Sequence, residues 1–320
     1  MNSITEFNLP ELPVFSAERW EKCRGKMDFS PILYELYKYT GILAVNCAQI
    51  HPSSPDIRTF DPPHFALLAG LLNRCARLML STIKLTNTGL YAETSRILDR
   101  CITESAFKLR WLCKHNAAEA FQRFIADGMK PEVELRNRIR SAIAARGNHG
   151  PNVIEARILK STDRLLKAAG MTEQDVISSP RMPWFNKICE DLGLSDDLYL
   201  AVQKVGSHPV HGTWSDLMSF YLEWDEATGF RIADQNARPH DNQYIFTSIF
   251  VLDAIEAYLG FITDSRWAIE QLAPQVPATR KTVWSINEIL CKGDVKPASS
   301  INKPKAHLKG CAGRSPTKRI

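Results

Sequence analysis

Tyr91-Ala-Glu-Thr-Ser-Arg96-Ile-Leu-Asp-Arg100-Cys-Ile-Thr-Glu104-Ser-Ala-Phe-Lys-Leu-Arg-Trp-Leu-Cys-Lys-His115 is the stretch that decides the fold. It contains neither proline nor glycine. Ile97, Leu98, Cys101, Ile102, Ala106, Leu109 and Leu112 recur at steps of three and four. That period belongs to a helix with one buried face. Upstream, Asn87-Thr-Gly89 is a turn. Before it, Leu67, Leu68, Leu71, Leu72, Leu78 and Met79 mark a helix from near Pro63 to about Leu85. Ser30-Pro31 starts another, which runs to about Gln49, with a short one over Ala17–Lys26. Residues 1–16 read as an extended arm. The four prolines of residues 51–63 make a loop.

Downstream, Asn116 reads as the cap of a helix through about Asp127, stopped by Gly128, and Pro131 as the start of another to about Arg146. Gly147-Asn-His-Gly-Pro151 is a break. Further helices are predicted near 152–169, 172–178, 184–192 and 195–206, the last capped by Ser195. Pro209 interrupts, and helix resumes over Gly212–Trp224. A short hairpin is predicted around Gly229. Asp241–Thr263 is a long apolar helix and Thr279–Leu290 the last. Trp184, Trp214, Trp224 and Trp267 stand at helical spacing from other apolar residues and read as core. Neither a helical repeat nor sustained strand alternation is visible. The expected fold is all-α: an irregular multi-helix bundle over 1–291 as a single domain, followed by a disordered basic tail over 292–320.

Composition bounds the function. Of 320 residues, 44% are hydrophobic and 23% charged, an ordinary globular balance. From Lys292 onward the chain carries a net +7, against +5 for the whole, so residues 1–291 are slightly acidic at −2. The body itself offers no basic surplus for nucleic acid; the tail alone could gather RNA by charge. No uninterrupted apolar run reaches the length of a membrane span, and Asp253 and Glu256 break the most apolar one. The N-terminus has no secretory pattern. Eight cysteines without a C-x-x-C pair suggest reduced thiols and a cytoplasmic protein. No Cys/His cluster has zinc-ligand spacing, and no phosphate loop, dinucleotide fingerprint or nucleophile elbow is present. Neither metal nor cofactor is expected.

Two groups of residues could carry chemistry. Arg96, Arg100 and Glu104 share one helix face beside the apolar seam. Read plainly they are a surface ion pair; read functionally they are charge fixed inside a bundle. The second group is Ser207-His208-Pro-Val-His211-Gly212-Thr-Trp214. There two histidines three apart sit at a helix break and could shuttle protons near neutral pH. The plain alternative is a tight turn whose histidines bond nearby groups.

At these two groups the chain resembles an uncharacterised, mostly bacterial all-α domain-of-unknown-function family. One family signature, Arg-x-x-x-Glu followed by an apolar and aromatic run, matches Arg100-Cys-Ile-Thr-Glu104 and the residues after it. An Arg-Phe segment matches Ala120-Phe-Gln-Arg-Phe124. A second signature, Tyr and then Ser-x-x-Val-His-Gly, matches Tyr199 and Ser207-His-Pro-Val-His-Gly212. The resemblance covers about residues 65–265 and implies a helical bundle in which Arg100, Glu104, Ser207 and His211 share a site. Such bundles look similar to HEPN proteins, which include metal-independent RNases of toxin and anti-phage systems. Their Arg-x(4–6)-His pattern is missing here, because Lys204, not arginine, precedes the histidines.

Two functional expectations follow. In the first, the chain is a helical binding or structural module for a protein partner or small ligand, with no membrane role. In the second, it is an RNase: His211 or His208 acts as general acid or base, Arg100 stabilises phosphate charge, and Glu104 orients Arg100.

Overall fold

The computed structural model describes residues 10–54, 57–147, 150–233, 237–263 and 274–293. His149, Trp267 and the basic tail beyond Gly293 lie outside the described residues. Among the described residues the protein is all-α apart from one hairpin and a single bridge between Ile57 and Thr263.

Four long helices form the body: α1 (Ala17–Lys26) leads into α2 (Ser30–Ala48), α3 (Pro62–Thr86) and α4 (Ala92–His115), and α12 (Asp241–Ile262) returns to them from far along the chain. α2 packs on α3, α3 on α4, α4 on α12 and α12 on α2, so the four close into a ring. Its interior holds Leu33, Leu36, Tyr37 and Leu43 from α2 and Leu68, Leu72 and Met79 from α3. Ile102, Phe107 and Leu109 come from α4, and Ile255, Tyr258 and Leu259 from α12. α2 and α3 approach closely at Gly41, where an added Cβ would sit 3.3 Å from the Met79 Cβ. By length and composition alone α3 and α12 could each cross a membrane. Both belong to the ring, and the most apolar stretch of α12 is 67% buried. Asp253 on α12 is ion-paired to Arg110 at 3.3 Å and to Arg280 at 3.1 Å.

α5 (Ala118–Ala145) corrects the expectation of two helices, because it continues through both Gly128 and Pro131. Proline removes one rung of the hydrogen-bond ladder and leaves the Asp127 carbonyl without its usual donor. Gly128 and Pro131 are on the exposed side, so water can serve that carbonyl, while Ala126, Met129 and Val133 keep the inner face buried. The outer half of α5 joins α6 (Val153–Ala169) and α7 (Glu173–Ser178) around a second, smaller core of Met129, Val133, Leu166 and Val176. Buried Arg136 ties the three together, reaching Asp163 at 2.5 Å and Glu173 at 3.1 Å.

α8 (Phe185–Asp191) and α9 (Asp196–Tyr199) follow. Helix predicted to 206 ends at Tyr199. A π-turn, Leu200–Lys204, and a 3-10 turn, Val205–Ser207, lead into the single-turn α10 (His208–His211). Pro209 sits in the first turn of α10, where its missing N–H costs nothing. α11 spans only Trp214–Phe220. The helix predicted to Trp224 gives way to β1 (Leu222–Asp225), paired antiparallel with β2 (Gly229–Ile232). α13 (Gln275–Gly293) packs on α12 and α2. Three tryptophans expected in the core are exposed: Trp184, Trp214 and Trp224. Helical spacing buries a residue only where the helix lasts. Trp184 precedes a seven-residue helix, Trp214 opens another, and Trp224 is on a strand.

Candidate functional site

The Arg100 side chain is built into the body. It is 10% exposed, and its Nη2 donates to Glu104 Oε1 at 3.2 Å one turn along α4. The guanidinium lies 5.2 Å from the centre of the Phe185 ring, which stacks in parallel on Phe107 of α4 at 5.6 Å. Arginine on an aromatic face gains from the ring quadrupole, more so when water is excluded. Its Nη1 is buried and has no hydrogen-bond partner. That leaves an unused charged donor inside the protein, an arrangement that costs free energy until an acceptor arrives.

The second group folds against the first. A Cβ added at Gly206 would lie 3.7 Å from Arg100 Cδ. The residue before Ser207 therefore rests on the arginine stem, and α10 packs on α4. Gly212 closes α10 in the left-handed region at φ 56, its N–H donating to the His208 carbonyl. That conformation suits glycine. Ser207 and His208 are half-buried, and His208 Nδ1 is bonded to Thr213 Oγ1 at 2.6 Å. His211 is exposed. The structure thus sets Gly206, the residue before Ser207, against the stem of Arg100, while His211 is exposed at the end of its turn.

Glu104 also borders a cavity of about 580 Å³, with Lys108, Arg181, Phe185, Asn186 and Tyr199 among its walls. Tyr199, in the turn before the π-helix, and Glu104 belong to the two signatures read from the sequence. Trp184 stands between this cavity and a larger cleft of about 1080 Å³. In that cleft Trp111 Nε1 donates to Asp191 Oδ2 at 3.0 Å. His115 lies tilted against Trp111, ring centres 4.4 Å apart, and brings Nε2 to 3.5 Å from the same oxygen, and Lys187 pairs with Asp191 Oδ1 at 3.2 Å. The Trp111 bond, aided by Lys187, holds the Asp191 carboxyl below its ordinary range. Sequence reasoning missed this group. Its only trace was the four-residue step from Trp111 to His115, since Asp191 comes from a distant helix.

A second missed feature is Asp99, half-buried next to Arg100 with its Oδ1 cut off from solvent. Gln243 Nε2 donates to its Oδ2 at 3.0 Å and to Ser95 Oγ at 3.2 Å, joining α12 to α4. Burial pushes the Asp99 carboxyl up to about 7, against the opposing pull of Gln243, Thr247, Arg96 and Tyr37. Arg96 itself leans on α11, with its guanidinium 5.3 Å from the Phe220 ring centre.

Among the described residues no group of three His, Cys, Asp or Glu side chains is arranged to hold a metal ion. The described cysteines are free thiols, and burial pushes Cys47, Cys75 and Cys113 up to about 12, which leaves them unreactive at neutral pH.

No curated protein and no solved structure matches the chain. A model of a family of unknown function, DUF5677, matches residues 65–229, a stretch that contains α4, the cavity beside Glu104 and the histidine turn. The chain therefore belongs to the DUF5677 family.

Proposed function

We propose that this protein is a binding module, and that the cavity bordered by Glu104, the ion-pair partner of Arg100, receives a small ligand bearing a carboxylate or phosphate. The observation that carries this reading is the buried, unpartnered Nη1 of Arg100, on a guanidinium whose other nitrogen bonds Glu104, a carboxylate that borders a cavity. Glu104 is 35% exposed and makes one bond to the guanidinium. An incoming anion that displaces Glu104 gains a charge-assisted, two-pronged contact with arginine, and such contacts exceed neutral hydrogen bonds. Lys108 adds a second cation on the same wall, and the cavity is within the size range of small-molecule sites.

Thermal unfolding with inorganic phosphate, a nucleoside monophosphate and short dicarboxylates tests this. A ligand at a hundred times its dissociation constant stabilises the fold by about 2.7 kcal/mol. At least one of these anions should raise the melting temperature of the wild type, and Arg100→Lys should lose the rise. A wild type indifferent to all of them sinks the proposal.

RNA cleavage is the weaker reading. It needs an imidazole at the guanidinium, whereas His208 is engaged by Thr213 and His211 is exposed. If wild type cleaves RNA and His211→Ala does not, the nuclease reading replaces the binding one.

A further inference from the structure

The hairpin after the histidine turn leaves its apolar face, like its charged one, in solvent. Leu222 pairs with Ile232 and Trp224 with Phe230, so these four side chains share one face, while Glu223 pairs with Arg231 on the other. A hairpin resting on a folded body ordinarily turns its apolar face inward. Here Trp224 is 56% exposed, Phe230 53% and Ile232 77%. The aromatic group extends onto α11. Trp214, 60% exposed, meets the Phe230 ring edge-on at 5.5 Å, and Trp224 lies 4.5 Å from that ring. The sheet has two strands, so among the described residues each strand keeps one open edge.

We infer that this face is an interface with a second copy of the chain, closed by a two-fold axis through the hairpins. Area is the first argument. Exposed aromatic side chains contribute on the order of 100–150 Å² each. Trp214, Trp224, Phe230 and Ile232 then offer roughly 500 Å², well over half of the ~800 Å² that each partner buries in a stable complex. Charge is the second. A two-fold interface sets each group near its own image, so an unpaired charge would meet its like. Glu223 takes bonds from Arg231 Nε at 2.8 Å and Nη2 at 2.5 Å. Asp225 Oδ1 accepts from the backbone N–H groups of Ala227 and Thr228 at 3.0 and 2.8 Å. The strand charges are thus satisfied within one hairpin. An acidic or basic partner would find no counter-charge on these strands; a neutral aromatic surface like the face itself would fit. An isolated two-stranded hairpin is also marginal by itself, and a second copy supplies the missing layer.

Sedimentation velocity on the full chain, over a concentration series with reductant to keep exposed Cys291 from cross-linking, tests the proposal. The wild type should reach a mass near twice 36.1 kDa. Trp224→Glu combined with Phe230→Glu should raise the dimer dissociation constant at least about 100-fold, with an unchanged helical circular dichroism spectrum. Should the double variant misfold, Ile232→Glu alone serves, with a rise of about tenfold. A wild type that stays monomeric at about 100 μM, or a dimer that these variants leave intact, overturns the inference. So does a monomer that sediments with neutral lipid vesicles through the same residues, because the face then belongs to a membrane surface.

Discussion

The middle of α4 and the β1–β2 hairpin break the same rule in opposite directions. On α4 a carboxyl and a guanidinium each withdraw an atom from water, at Asp99 Oδ1 and Arg100 Nη1. On the hairpin, Trp224, Phe230 and Ile232 stand in solvent. The difference lies in partners. Asp99 has Gln243, and Arg100 has Glu104 on one nitrogen and an aromatic ring beneath. Among the described residues, the aromatic contacts of the hairpin's apolar face run between its own strands and to Trp214. Burial of a polar group is tolerable where acceptors and donors come with it. Exposure of an apolar face persists in functional proteins mainly where something else covers it.

Substitutions at both places can break this contrast. The largest loss is expected at Arg100. Arg100→Ala strips Glu104 of its partner and empties space over Phe185, which should lower stability by about 2–4 kcal/mol in urea unfolding. His211→Ala, at an exposed position, should change it by less than about 0.5 kcal/mol. Equal losses at the two sites would mean that the histidine turn is as structural as the arginine.

Asp99 comes next. Its folded carboxyl titrates at about 7 against an ordinary 3.8. The folded state therefore holds a proton that the unfolded chain has already released. Stability from this group is complete below pH ~4 and declines as pH rises toward 7, by up to about 1.4 kcal/mol per unit. Asp99→Asn keeps a group that can bond Gln243 and removes that slope. At pH 8 it should be more stable than wild type by about 4 kcal/mol, and near pH 4 the two should coincide. A variant less stable at pH 8 would show that the ionised carboxylate is needed.

The smallest effect belongs to the hairpin. Below the dimer dissociation constant, Trp224→Ser should cost the monomer less than about 0.5 kcal/mol, since exposed side chains contribute little to the fold that carries them. A loss comparable to that of Arg100→Ala would place Trp224 in the monomer's own core and end the contrast.

The long helices were legible because periodicity and punctuation agreed, as at Ser30-Pro31 and along residues 92–115. Punctuation misled at Gly128 and Pro131, which lie on the solvent side of a helix whose inner face is unbroken. The Arg100–Glu104 pair was readable from a four-residue step. Gly206 against Arg100, Gln243 on Asp99, Trp111 on Asp191 and Arg136 between Asp163 and Glu173 join residues dozens of positions apart. No local spacing encodes such pairs. The exposed tryptophans were misread for a related reason: residue type states a preference, and only neighbours satisfy it.

The proline within α5 has a dynamic consequence. Met129, Val133, Leu166 and Val176 make a core separate from that of the ring, and the helix carrying two of them lacks a rung at Pro131. The α5–α7 lobe is then a cooperative unit with its own opening free energy, lower than that of the four-helix ring. Its amides should exchange with deuterium well before those of α12. The larger cleft has walls on both sides of this division, Met171 and Asp175 on the lobe and Trp111 and His115 on the body. Each opening of the lobe therefore reshapes the cleft, and anything bound there would slow exchange across α6 and α7 together.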